Sequence, residues 1–162
     1  MRGSLLCLLL IGSLTAARAE SSLTWDSWMR EGEAVINYGA PESDDVRFSI
    51  VCKVSDGTGR LSADANLVGV KDGERVNFTV GGPGGTISYT GVFHEDRELG
   101  ANGVSVDLRS ARDALTPLSK PGTLTIRFPK NSFIITVPLG PKAAQALNTF
   151  RSQCPPAKQS SK

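Results

Sequence analysis

From Thr123 to Cys154 the chain spells out a hairpin followed by a helix that ends on a cysteine, and everything before it must pack around that unit. Leu124, Ile126 and Phe128 alternate along Thr123–Phe128, as do Phe133, Ile135 and Val137 along Ser132–Val137. Period-two alternation of aromatic and β-branched residues is the pattern of half-buried strands. Pro129-Lys130-Asn131 between them is long enough for a hairpin and too short for a crossover. Pro141 suits the first turn of a helix, and Ala143, Leu147, Phe150 and Cys154 then recur at spacings of 4, 3 and 4, which is one helical face. Pro155-Pro156 stops it, and 155–162 reads as a flexible polar tail.

The other end reads as a targeting segment. Arg2 supplies a positive start, Leu5 to Leu14 a short apolar core, and Ala17-Arg18-Ala19 a small-x-small cleavage site, so residues 1–19 are predicted to be a secretory signal. The apolar run is too short to span a bilayer, and no transmembrane span is expected in the mature chain. Loss of Arg2 and Arg18 leaves 16 basic against 16 acidic residues. A neutral domain lacks the clustered positive charge that nucleic acid or an anionic membrane surface requires. Residues 20–154 suit one domain with a single core.

Export also decides the cysteines. Cys7 leaves with the signal, and Cys52 and Cys154 remain. Cys52 falls on the apolar face of Phe48-Ile50-Cys52-Val54, and Cys154 on the apolar face of the closing helix. Two cysteines aimed at one core in an oxidising compartment read as a structural disulfide, and there is no Cys-x-x-Cys spacing to suggest redox chemistry.

Between these ends the chain reads as strands separated by turn signals. Glu20 to Gly32 carries Trp25, Trp28 and Met29; the i, i+3 spacing of the tryptophans allows a helical turn, and the segment reads as a short aromatic lead-in. Strands are predicted over Ala34–Tyr38, Val46–Val54, Leu61–Leu67, Val76–Val80, Thr86–Phe93 and Val104–Leu108. Lys71-Asp72-Gly73-Glu74 is predicted to be a hairpin turn, Gly81–Gly85 a flexible loop, and His94–Gly103 a polar connection. Ser110-Ala-Arg-Asp113 is a capping box in front of a short helix carrying Ala111, Leu115 and Leu118. The predicted class is mainly β: an antiparallel β-sandwich or flattened barrel of about eight strands, with a short late helix and a C-terminal helix.

No residue set spells out a catalytic or cofactor site. Gly81–Gly85 lacks the order of a phosphate-binding loop and sits between strands. His94 is the single histidine; it has no GxSxG partner, and with two bridged cysteines it cannot complete a zinc site. Glu42, Asp44, Asp45 and Asp56 lie in turns without an EF-hand pattern. Asn77-Phe78-Thr79 is a glycosylation sequon only in a eukaryotic cell. No cofactor is expected. The candidate binding surface comprises Trp25, Trp28, Gly82, Pro83, Gly84 and His94.

The tryptophan segment, Phe48-Ser-Ile-Val-Cys52, the short helix leading to Leu124-Thr-Ile126 and the closing Leu139-Gly-Pro-Lys-Ala-Ala-Gln-Ala-Leu147 together resemble small exported proteins of alphaproteobacterial origin. The late helix, strands and closing helix, over the last third of the chain, are similar to envelope proteins of the invasion-associated locus B type. This likeness implies a periplasmic, non-catalytic β-domain linked to envelope function or host contact. The expected function is therefore that of an exported domain, periplasmic or secreted, binding a protein or an envelope component. An inhibitor of a secreted or host enzyme, and an enzyme with a site assembled from scattered residues, are the alternatives.

Overall fold

The alternating segments pair into nine antiparallel strands of one sheet, curled into a half-barrel, in a computed structural model that describes residues 23–96 and 101–158. The segment read as a secretory signal lies outside the described residues. The strands are β1 (Thr24–Arg30), β2 (Glu33–Gly39), β3 (Val46–Lys53), β4 (Gly59–Asp64), β5 (Arg75–Gly82), β6 (Gly85–Asp96), β7 (Ala101–Leu108), β8 (Gly122–Phe128) and β9 (Phe133–Leu139). Their order across the sheet is β1-β2-β3-β4-β7-β6-β5-β8-β9. One α-helix, α1 (Pro141–Gln153), follows β9, and a 3-10 helix spans Asp113–Leu118.

Alternation decides which side chains make the core. Ile36, Phe48, Ile50, Leu61, Phe78, Val80, Leu124, Ile126 and Phe128 point inward and are fully or almost fully buried. Gly91 also faces inward, on β6, where a Cβ would stand 2.6 Å from Val104 Cγ1 and 3.0 Å from Phe78 Cε1. Glycine there leaves room for the Val104 and Phe78 side chains to close over the strand.

The helix joins the two edges of the sheet. α1 packs against β1, β2 and β9, burying Ala143, Ala146, Leu147 and Phe150. Trp25 on β1 adds a direct tie, donating its indole N–H to Pro138 O of β9 at 2.7 Å. The helix ends where Cys154 bonds Cys52 of β3, with Cα atoms 5.8 Å apart. The disulfide expected between these two cysteines is thus present. Beyond it, Lys158 N–H donates to Asp56 O at 3.0 Å, and Gly57 lies against Pro155 and Ala157. The polar tail is therefore held as far as Lys158; the rest of it lies outside the described residues.

Five local readings change. The aromatic lead-in is a full strand, β1, the ninth in the sheet. Glu31 and Gly32 both take positive φ (48° and 82°), which makes a tight two-residue hairpin and sets Trp25 opposite Tyr38. The Asp72-Gly73 turn forms, with Gly73 at φ 78°, but does not join a hairpin, because both edges of β4 are taken by β3 and β7. The chain instead crosses one end of the sheet and buries Ala65 and Leu67 on the way. Gly81–Gly85 is no loose loop: Gly82 pairs with Gly85, leaving a two-residue Pro83-Gly84 turn. The His94–Gly103 connection is mostly strand, since β6 runs to Asp96 and β7 starts at Ala101. The late helix forms as a 3-10 turn, consistent with Pro117 inside it, which has no N–H to donate.

Candidate functional site

The six candidate residues fall in four separate places. Trp25 belongs to the core: it is 7% exposed, and its ring lies 5.5 Å from Tyr38 and 6.0 Å from Phe48. Gly82 and Gly84 are packing positions. A Cβ on Gly82 would come within 2.2 Å of Pro117 O, and one on Gly84 within 2.0 Å of Thr116 O. Glycine at both lets the β5–β6 turn press its backbone onto the 3-10 helix, with Pro83 exposed at the tip.

His94 is exposed on the outer face of β6, with Nε2 3.0 Å from Ser105 Oγ on β7. Arg60 and Arg75 lie in the same shallow depression, and Arg60 pairs with Asp107 at 3.0 Å. A histidine beside a hydroxyl is one half of a nucleophilic pair. Acyl transfer also needs donors aimed at a developing oxyanion. Here β6 pairs with β7 through His94, and the neighbouring Glu95 N–H is already used, donating to Asp72 Oδ1 at 3.1 Å. The arrangement can hold a polar ligand and has no built oxyanion site.

Trp28 is different. It points outward from β1 and is 38% exposed. Across the sheet it stands directly opposite Val35 of β2, which stands opposite Val51 of β3. Both valines are half-buried on the same outer face. The strip ends at Arg60, the register partner of Val51 on β4. Met29, beside Trp28 at the tip of β1, is 46% exposed. On its far side β1 has no strand partner. An apolar strip on an outer sheet face is a surface other chains can use.

Register across three strands makes this strip, so single-strand reasoning picked out Trp28 and missed Val35 and Val51. The signal that finds them is the two-residue turn at Glu31-Gly32, which fixes the pairing of β1 with β2.

Among the described residues no three His, Cys, Asp or Glu side chains come together as metal ligands would. Among the described residues two groups are shifted from their ordinary pKa by their surroundings. The Thr58 hydroxyl and N–H, both donating to Asp56 Oδ1, hold the Asp56 carboxyl below the usual carboxylate range. Burial, assisted by the negative charge of Asp113, pushes the Tyr89 phenol up to about 12. Tyr89 stacks on Phe78 with ring centroids 5.4 Å apart. Its neutral form is favoured in the fold, so this contribution is complete below pH 10 and is lost as pH rises toward 12. Discounted for partial exposure of the ring, the loss is about 1–2 kcal/mol. Tyr89→Phe is expected to flatten the alkaline fall in stability measured by urea unfolding; an unchanged slope contradicts the assignment.

No protein-family model matches this chain, no curated protein matches it in sequence, and no solved structure matches it.

Proposed function

We propose that this chain is an exported, non-enzymatic β-domain, periplasmic or secreted, that binds another protein or an envelope component through the outer face of β1, β2 and β3. The observation that carries the reading is the Trp28–Val35–Val51 strip on that outer face. Large apolar groups side by side on an outer sheet face lose little by being covered and gain by leaving water. Tryptophan is also the residue type most often dominant at interface centres. Export is supported by the signal-like residues 1–19 and by the Cys52–Cys154 bond, which persists in oxidising compartments. The resemblance to the invasion-associated locus B type points to the same compartment and the same absence of catalysis.

The test is capture of the partner from envelope extract by the purified mature domain. Trp28→Asp is expected to lower capture by about tenfold or more, because it removes an interface anchor and puts a charge in its place. Thr136→Asp, on the exposed outer face of β9, is expected to leave capture unchanged. Both variants should unfold within about 1 kcal/mol of the parent, since both sites are on the surface. Equal capture by all three proteins would remove the β1–β3 face as the binding surface.

A further inference from the structure

Along β1 and β2 the same outer face descends from Trp28 into a groove. Asp26 lines its β1 side, Asn37 its β2 side, and Pro41, Glu42 and Asp44 of the β2–β3 connection close its end. Three of the lining groups are carboxylates, and no lysine or arginine lines the groove. The next acid along the chain, Asp45, is paired: Arg47 reaches it at 3.0 Å and Asp64 at 2.7 Å. Asp26, Glu42 and Asp44 are in no ion pair among the described residues. Two cations stand near the rim. Lys142 lines the adjoining groove between β1 and α1, and Arg30 is two residues beyond Trp28 on the same strand. Neither reaches a carboxylate of the groove as an ion pair.

The charge balance of residues 20–162 is even, so this is a local excess of negative charge and not a property of the whole surface. It borders the exposed indole of Trp28. An aromatic face beside unpaired carboxylates favours a cation twice over, through the ring quadrupole and through Coulomb attraction. The shape of the surroundings selects among cations. Past the groove the apolar strip of Val35 and Val51 continues across the strands. A small free cation would leave the strip uncovered. An extended chain would cover it.

Resting on the binding role proposed above, we infer that this groove takes an extended, lysine- or arginine-bearing segment of the partner protein, with a cationic side chain seated against Trp28 and between Asp26, Glu42 and Asp44.

The probe is a short dye-labelled peptide of alternating lysine and valine, compared with its glutamate counterpart and with spermidine, read by fluorescence anisotropy on the mature disulfide-bonded domain. The lysine peptide is expected to bind and the glutamate peptide not to. Raising the salt should weaken binding. Asp26→Asn, Glu42→Gln, Asp44→Asn and Trp28→Ala should each weaken it by about 2–5-fold, the range of single exposed ion-pair and cation–π contacts. Lys142→Gln should not weaken it. Binding of both peptides alike, or an affinity untouched by these substitutions, overturns the inference. Spermidine competing as tightly as the peptide would make the groove a site for small cations and likewise overturn it. If Trp28→Asp abolishes capture of the native partner while the lysine peptide does not bind, the charge inference fails and the binding face stands. If capture is unaffected as well, both fail.

Discussion

Replacing Cys52 and Cys154 together by alanine is expected to lower the unfolding free energy by about 3–5 kcal/mol, the upper part of the range for native disulfides. The bond closes a loop across a sequence separation of 102, and long loops lose the most entropy when the unfolded chain is cross-linked. Its position adds to the effect. Both cysteines are essentially inaccessible, and the bond is the last fixed point of α1 after Phe150. Without it the end of the helix is held by Leu147, Phe150 and the hydrogen bond that the Arg112 guanidinium donates to Arg151 O. Urea unfolding of the oxidised parent and the double variant measures the difference directly. A difference under about 1 kcal/mol, within the range of an ordinary surface substitution, would mean that the helix is docked without the bond.

Trp25→Ala is expected to cost about 3–5 kcal/mol, as large aromatic truncations in cores do. The side chain fills space beside Tyr38 and Phe48, and its indole N–H ties the first strand of the sheet to the last. Trp25→Phe separates these roles. It keeps most of the apolar packing and removes the indole N–H, leaving Pro138 O to water or to nothing. That loss should be about 0.5–1.5 kcal/mol plus a cavity term. Thermal and urea unfolding of the two variants check the order Trp25→Ala, Trp25→Phe, parent. A Trp25→Ala domain as stable as Trp25→Phe would show that ring packing contributes nothing beyond the link.

The two tryptophans show where sequence reading stops. Three residues apart, they suit one face of a helix, and nothing in their spacing says which is inside. In a strand the same spacing puts them on opposite faces, and the structure places Trp25 in the core and Trp28 at the surface. The sequence pattern was strongest where alternation was uninterrupted, as in Val46–Val54 and the closing hairpin, and where helical spacing ran for several turns, as in α1. Each of these segments turns the face its pattern predicts toward the core, with Phe133 and Ile135 of β9 half-buried against it. The disulfide followed from the same logic, since both cysteines sat on predicted inward faces.

What the pattern did not carry was strand order. Asp72-Gly73 specifies a turn but not which strand edges are still open when the chain arrives. Because β7 takes the place beside β4, the expected hairpin becomes a crossing over the end of the sheet. The glycines at 82 and 84 were legible as conformational freedom and not as close packing on Thr116 and Pro117, which is a long-range contact. The apolar strip needed the register of three strands at once, so only Trp28 of its members stood out beforehand.

The most direct test of the account is site-specific photo-crosslinking in cells expressing the chain, with a photoreactive residue placed at position 28 and, in a separate chain, at position 136. The β1–β3 binding face predicts a discrete, reproducible adduct from position 28 and none from position 136. Adducts of equal yield from both positions, or from position 136 alone, would contradict it.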